Sequence, residues 1–342
     1  MKVLSFVIAA YNSEKYLDKC LAAMLHPQLT DRLEIIIVND GSIDATEKIA
    51  KKYCTGYPDT VKLVSQENRG HGGALNAGFA AASGKYVKAV DADDWVEKEN
   101  LPELISALES CESDVVLTHY STFDISTGEI RKWKCYPPAF GRELSFEEIM
   151  SDWRSYEHCF CFHGIAYRRD FYCAKATALT ERVFYEDHEL AAFPCAGAES
   201  ICPLDIFVYI YRIGDTQQSI AAANQLRRRG HIEAVLEKMC HKYAWLPAGA
   251  GKRYAAAKIS ALLLQYLTLM LLTEPDRKKG RQAAADMMDS FELMTPDVHA
   301  LVKRKYRLIL AMNYLKLDRR HWNALMSSGL YSALRGKKSS ES

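Results

Sequence analysis

The segment VDADDW, residues 90–95, sets three carboxylates, Asp91, Asp93 and Asp94, directly behind a short apolar run, KYVKAV. Tyr86, Val87, Ala89 and Val90 suit a buried strand. Carboxylates crowded at the end of such a strand repel one another and lose hydration. A hard divalent cation relieves both costs. Mg2+ and Mn2+ take oxygen ligands, usually one or two carboxylates together with substrate phosphates. The carboxyl end of a parallel strand is also where open α/β sheets bind ligands. The pattern points to a metal–phosphate site, with an acidic turn capping the next helix as the alternative.

Holding that cluster takes a sheet, and the first half of the chain alternates strand and helix patterns. SFVIAAYN (5–12), LEIIIVND (33–40), VKLVSQ (61–66), KYVKAV and DVVLTHY (114–120) read as strands. Between them lie helices: one with Leu17, Leu21, Met24 and Leu25 on one face, and one capped by Ser42 or Asp44. A small-residue helix, GGALNAGFAAAS, is ended by Gly84, and a fourth helix has Asn100 as cap and Pro102 in its first turn. This order predicts an α/β, doubly wound, mostly parallel sheet. From about residue 121 the rhythm changes, with a hairpin at Ser126–Gly128 and a loop, WKCYPPAFG. Strands at 158–167 and 200–213 flank a helix near 185–193, and beyond 222 the pattern is helical throughout. The expected division is a sheet domain at 1–222 and a helical C-terminal region with a basic tail at 223–342.

Composition sets bounds. With 342 residues, 49% apolar and 25% charged, the chain matches an ordinary soluble globule, and its net charge of +1 makes no case for nucleic acid. Its ten cysteines form no C-x-x-C, which suggests buried thiols in a reducing compartment. The apolar start, Val3 to Ala10, runs into Asn12, Glu14 and Lys15 without a cleavage region, so it reads as a core strand and not a signal peptide. ALLLQYLTLMLL (261–272) is too short for a membrane span and reads as a buried helix.

Four strand ends collect polar residues: Tyr11 and Asn12, Asn39 and Asp40, Asn68 to Gly73, and Asp91 to Asp94. Parallel strands bring all four to one edge. A lone carboxylate such as Asp40 is usually a helix cap, but the four clusters together favour a nucleotide-diphosphate pocket. SFVIAAYN, IIIVNDGSIDAT, NRGHGGALNAG and VDADDW, in this order, resemble glycosyltransferase family 2 over residues 3–220, with later support from FYEDHEL (184–190) and IYRIGDTQQSI (210–220). The resemblance implies a GT-A fold and an inverting enzyme. Such an enzyme moves a sugar from a nucleotide donor, commonly a UDP-sugar, with a divalent metal, Mn2+ or Mg2+.

It also implies roles, residue by residue. Ala10 and Tyr11 would line the base and ribose pocket, and Asp40 would accept from the uracil N–H. Asp91 would meet the ribose or the metal shell, and Asp93 would be the direct metal ligand. Asn12, Asn68, Gly70, His71, Asn76 and Ala92 complete the expected donor site. Asp187 would be the catalytic base, supported by Glu186, and Arg212 could meet the departing phosphates. The family often has Ala-Arg-Asn where this chain has Ala74-Leu75-Asn76, so a donor-contacting arginine is missing or replaced by Arg69. His71 could reach the donor or be a solvated loop residue.

Bland readings stand beside these. Glu186 and Asp187 could be first-turn acids favoured by a helix dipole. Arg212 could be a structural ion-pair residue. Trp95, Trp133 and Trp153 could stack on sugar rings, although large aromatics are core residues by default. After Leu301, Lys303, Arg304, Lys305, Arg307, Lys316, Arg319, Arg320, Arg335, Lys337 and Lys338 face only Asp318 and Glu341. That bias fits either a solvated face or a basic amphipathic helix on an anionic membrane.

The expected protein is a cytoplasmic, metal-dependent glycosyltransferase, peripheral at the inner face of the cell membrane if the basic region binds there. Its acceptor would be a glycan or a lipid-linked precursor in surface polysaccharide synthesis. The rivals are a sugar-phosphate nucleotidylyltransferase, which would need a Gly-rich basic loop where AAYNSEKY stands, and a non-catalytic nucleotide-sugar-binding protein, which need not keep both Asp93 and Asp187.

Overall fold

Strands form where β-branched and apolar residues run without a polar break. The computed structural model describes residues 1–215 and 222–327. In it, Leu4–Ala10 (β1) and Leu33–Asp40 (β2) are the clearest cases, with all eight residues of β2 buried. Val61–Gln66 (β3) and Tyr86–Asp91 (β4) complete a parallel set in the spatial order β3-β2-β1-β4. Ala10 stands opposite Asn39, Asp40 opposite Gln66, and Ala9 opposite Asp91, so the four polar strand ends meet along one edge.

The remaining strands are Trp95–Val96 (β5), Val115–Asp124 (β6), Ile130–Trp133 (β7), Leu144–Ser145 (β8), Ile165–Arg168 (β9) and Ser200–Ile213 (β10). The sheet continues β4-β9-β6-β10-β5, with β7 on β6 and β8 on β10. β9 is antiparallel to both its neighbours, whereas β6 and β10 run parallel to each other. The result is a mixed α/β sheet, mostly parallel, as the strand–helix alternation predicts.

Helices cover the sheet: Leu17–Met24 (α1), Thr46–Gly56 (α2), Gly70–Ala81 (α3), Leu101–Ser110 (α4), Phe146–Ser151 (α5), Trp153–Tyr156 (α6), Arg169–Lys175 (α7) and Asp187–Ala196 (α8). The small residues of α3 let it approach β1 closely. A Cβ on Gly78 would stand 2.2 Å from Val7 Cγ1.

Several local expectations need correction. α3 starts at Gly70, whose φ of +77° suits glycine, so His71 sits in a helical turn and not in a loop. Gly84 does not end that helix; it lets the backbone pass Ser5, whose N would lie 2.7 Å from an added Cβ. Of the two candidate caps before α2, Asp44 takes the Thr46 N–H at 2.9 Å, while Ser42 Oγ accepts from Asn12 N. Asn100 does not cap α4 with its side chain, which donates to the Phe207 carbonyl at 2.8 Å. The strand expected at 158–167 shortens to β9, because Gly164 N–H closes a turn onto Cys161 O at 3.0 Å.

The described residues fall into two compact units: 1–215 with Trp245–Ala255, and 222–244 with 256–327. Ala222–Arg227 (α9), Arg229–Ala244 (α10), Arg277–Met294 (α12), Pro296–Tyr314 (α13) and Arg319–Ser327 (α14) lie in the second, together with the larger part of Ala250–Leu272 (α11). The stretch 261–272 belongs to this 23-residue α11, which by length and composition could cross a membrane; 67% of its most apolar window is buried. Asn313 holds the helices together, donating to Leu271 O at 2.5 Å and accepting from Arg281 at 2.8 Å. On α13, Ile309 and Met312 are buried, whereas Arg304, Arg307, Leu308 and Tyr314, and Leu315 just beyond the helix, are exposed. Arg335, Lys337 and Lys338, the tail KKSSES, and residues 216–220 of the IYRIGDTQQSI motif lie outside the described residues.

Candidate active site

The acidic cluster forms at the end of β4. Asp91, Asp93 and Asp94 bring ligand oxygens within 4.8 Å of one another. Asp94 is a strut and not a free ligand. It is 1% exposed; its Oδ2 accepts from Tyr209 OH at 2.5 Å and its Oδ1 from Arg212 N at 2.7 Å. Tyr209 OH in turn accepts the Asp91 N–H at 3.1 Å. Burial, then the charges of Asp91 and Asp93, push the Asp94 carboxyl well above its usual range. Asp93 is more open and lies 3.3 Å from Arg212 Nη1. Arg212 also pairs with Asp215 at 2.8 Å and lies over the Tyr16 ring at 4.4 Å. An all-oxygen donor set of this kind fits a hard divalent ion, with Asp93 and Asp91 as the residues left to hold it.

His71 joins this cluster to the region of the expected base. Its Nε2 lies 2.8 Å from Asp91 Oδ1 and its Nδ1 2.5 Å from Glu186 Oε1. Burial would lower the imidazole pKa, but the two carboxylates outweigh it and hold the ring well above its ordinary value, as an imidazolium. Burial likewise opposes ionisation of Asp91, and His71 reverses this, leaving its pKa lowered. Glu186, 2% exposed, is raised by burial in spite of His71, with Asp187 adding to the rise. The glycines of G-H-G-G explain the contact. A Cβ on Gly72 would stand 2.3 Å from Thr180 O and 2.9 Å from Glu186 Cγ, so only glycine lets this loop lie on α3. Asp187, the first residue of α8, is partly exposed and makes no hydrogen bond or ion pair among the described residues.

Beside this bridge lies a cavity of about 450 Å³, within the range of small-molecule sites. The structure brings Ala10, Tyr11, Asp40, Asn68, Gly70 and His71 together in its lining. Asp40 is 2% exposed, and its Oδ1 accepts from Gln66 Nε2 at 2.7 Å and Arg69 N at 2.9 Å. Tyr11 is 52% exposed, with its ring open to solvent.

Other expected donor residues do different work. Asn76 is a latch: its amide exchanges two hydrogen bonds with the Leu179 backbone, at 3.1 and 2.8 Å. Asn12 ties two loops together, accepting from Ile43 N at 2.9 Å. Ala92 is buried inside the acidic turn. The Arg69 side chain is spent on Glu181. None of the three tryptophans lines the cavity; Trp95 is covered by Lys19 Nζ, 3.0 Å from its ring centroid.

Sequence reasoning missed Arg182, Val183 and Phe184, which close the cavity. The Arg182 backbone has φ +58° and its N–H donates to Arg69 O at 2.8 Å, while its side chain makes no ion pair among the described residues. Phe184 opens FYEDHEL, and the nearness of Arg182 and Val183 to that motif was the signal available for them.

Residues 5–173 match the family model described as glycosyl transferase family 2. The chain carries a family 2 glycosyltransferase domain. The putative glycosyltransferase EpsH of Bacillus subtilis (strain 168) is 37% identical over 126 residues, which is 37% of this chain and 36% of EpsH. The succinoglycan biosynthesis protein ExoO of Rhizobium meliloti (strain 1021) is 25% identical over 309 residues, covering 82% of this chain and 87% of ExoO. The chain spans 18–52% of the lengths of EpsH and three further glycosyltransferase relatives that it matches. Residues 1–349 of S. aureus TarS, in complex with UDP-GlcNAc, share the fold with a TM-score of 0.65 at 20% identity, covering 92% of this chain and 88% of that one. The likeness bears out the GT-A architecture that the motifs of the family 2 domain imply.

Proposed function

We propose that this protein is an inverting glycosyltransferase. It takes a sugar from a nucleoside diphosphate donor, a UDP-sugar, and adds it to a hydroxyl of a glycan or lipid-linked acceptor in surface polysaccharide synthesis. The observation that carries this reading is the His71 bridge. His71 lines the nucleotide-sized cavity and binds both Asp91 of the oxygen-ligand cluster and Glu186, the neighbour in sequence of Asp187, whose carboxylate has no partner among the described residues. ExoO, named for succinoglycan biosynthesis, and TarS, crystallised with UDP-GlcNAc, agree with it. The nucleotidylyltransferase and non-catalytic alternatives have no comparable support.

The buried Asp40 carboxylate would accept the uracil N–H. Asp93, with Asp91, would hold a divalent ion, Mn2+ or Mg2+, which when bound supplies Lewis-acid stabilisation of the departing diphosphate. Arg182, at the cavity mouth, supplies the cation that Leu75 cannot, since Arg69 is committed to Glu181. Asp187 takes the proton of the acceptor hydroxyl as its oxygen bonds to the anomeric carbon. The bond from that carbon to the diphosphate breaks, and a single displacement inverts the centre. Glu186 is a positioning residue, because its exposed share is small and its Oε1 is held by His71.

A nucleotide-sugar panel with Mn2+, read by thermal shift and by donor consumption, tests the proposal. UDP-sugars should stabilise the protein and be turned over, and EDTA should abolish both effects. Equal stabilisation by GDP-sugars would remove Asp40 from uracil recognition. No donor consumption with any nucleotide sugar and a range of acceptors would remove the transferase reading.

A further inference from the structure

We propose that His119, Cys135 and Cys159 form a zinc site, independent of the acidic cluster and of the transferase reading. Three separate segments deliver these side chains: β6 carries His119, the segment after β7 carries Cys135, and the turn after α6 carries Cys159. All three are fully buried. His119 Nδ1 faces both sulfurs, at 3.9 Å from Cys135 and 3.7 Å from Cys159, and all three donor atoms lie within 4.8 Å of one another. Zinc with a nitrogen at about 2.0–2.1 Å and a sulfur at about 2.3 Å, in tetrahedral geometry, needs an N···S separation of roughly 3.6 Å. Both N···S separations therefore stand within a few tenths of an ångström of a bound arrangement.

The ring is also oriented for the task. Asp205 Oδ1 lies 3.0 Å from His119 Nε2, which fixes the Nε2–H tautomer and turns the Nδ1 lone pair to the thiols. Asp205 is in position because β10 slips register between Pro203 and Phe207, bulging toward His119. Competing contacts are weak: Cys135 N–H donates to Nδ1 at 3.4 Å, the two thiols hydrogen-bond each other, and Lys134 Nζ lies 3.9 Å from Asp205 Oδ1.

Ligand softness sets this site apart from the acidic one. Two thiolates and an imidazole select zinc, whereas carboxylates select Mg2+ or Mn2+. Binding releases the two thiol protons to solvent, and Zn2+ with two thiolates is neutral overall, which suits a dry interior. These three side chains leave the fourth tetrahedral position open. Phe140 and Phe207 stand against the ring, at 5.6 and 5.0 Å between centroids. Buried cysteines acting only as small apolar residues would not account for a carboxylate aimed at the histidine between them.

The ion would pin two loops to β6. One continues through the Cys159–Gly164 turn to His163, whose carbonyl takes Lys88 Nζ at 2.7 Å and whose ring stacks on Tyr211 at 4.3 Å. The wall beside the acidic cluster is thereby stiffened.

Elemental analysis of the full chain, purified without chelator, should find about one zinc per chain. Cys135→Ser and Cys159→Ser should each lose most of it, while Asp93→Asn should retain it. Cobalt exchanged into the wild-type protein should give thiolate charge-transfer and visible d–d bands. Because the cobalt spectrum needs no variant, misfolding of the serine proteins does not blunt the test. Absence of both zinc and the cobalt spectrum would overturn the proposal. So would a Cys135–Cys159 disulfide in non-reducing peptide maps, or loss of the metal with Asp93→Asn and not with Cys159→Ser.

Discussion

His71 Nδ1 and Glu186 Oε1 lie 2.5 Å apart although 115 positions separate them in the chain. With Asp91 on its other nitrogen, the ring is a cation between two anions, and this gives stability a pH dependence. The His71 pKa is raised on folding, so its contribution is fully present below the unfolded value, about 6.5, and is lost as pH rises through the folded value. Asp91 is lowered, so its share is present above about 3.9 and is lost as pH falls through its folded value. Denaturant melts of wild type and His71→Asn should converge as the pH is raised above about 6.5 and through the folded-state value. A constant gap would mean that His71 is not a cation.

Asp187 and Glu186 should separate cleanly into chemistry and structure. Asp187→Asn should lower the single-turnover transfer rate by about 10²–10⁴ and leave the melting temperature and UDP-sugar affinity nearly unchanged. Glu186→Gln removes the charge that holds His71, and should cost about 1–3 kcal/mol of stability. The result that counts against this assignment is a normal transfer rate in Asp187→Asn, or a slower one in Glu186→Gln.

Arg212 occupies Asp93, and the two should show opposite effects on metal titrations. Asp93→Asn should weaken Mn2+-dependent UDP binding at least tenfold, roughly 1.4 kcal/mol, and leave the fold intact. Arg212→Gln should instead tighten Mn2+ binding to the nucleotide-free protein, because Asp93 loses its cation. Calorimetry with and without UDP reads both. Unchanged affinity in Asp93→Asn would take Asp93 out of the site.

Asp40→Asn exchanges a pure acceptor for a side chain that also donates. UDP should bind more weakly, and CDP, whose ring nitrogen accepts where uracil donates, should gain relative to it. Competition binding gives the ratio; a preserved UDP preference would mean that Asp40 does not read the base.

Exposed Arg304 and Arg307 stand on one helix with Leu308 and Tyr314. If α13 meets an anionic bilayer, each base contributes about 1 kcal/mol, screened by salt. Arg304→Gln with Arg307→Gln should reduce binding to anionic vesicles and leave neutral-vesicle binding alone. Equal binding of wild type to both vesicle types would end the membrane reading.

The N-terminal half of the sheet was legible because its strands are unbroken apolar runs, and the polar residues that end them share an edge by topology. α5 could have been read too, since Ser145 and Glu148 form a capping box, S-x-x-E, before an apolar pair. The roles of His71 and Asn76 were not legible. Their partners are 115 and 103 positions away, and nothing local tells a ligand-binding amide from one that latches a loop. The zinc-type cluster was hidden for the same reason: its cysteines follow no metal-binding spacing, and the bulge that aims Asp205 exists only once β10 pairs with β6.

β9 lies between β4 and β6 in the sheet but follows both in the chain. During synthesis, the backbone groups along that side of β4 must wait for residues 165–168 to leave the ribosome. At about 5–20 residues per second, that wait is roughly 4–15 s. For that interval the nascent chain carries an open strand edge, a template for pairing with other chains. The N-terminal half of the sheet is therefore the first part of this protein able to fold and also the part most exposed to misassembly while it is being made.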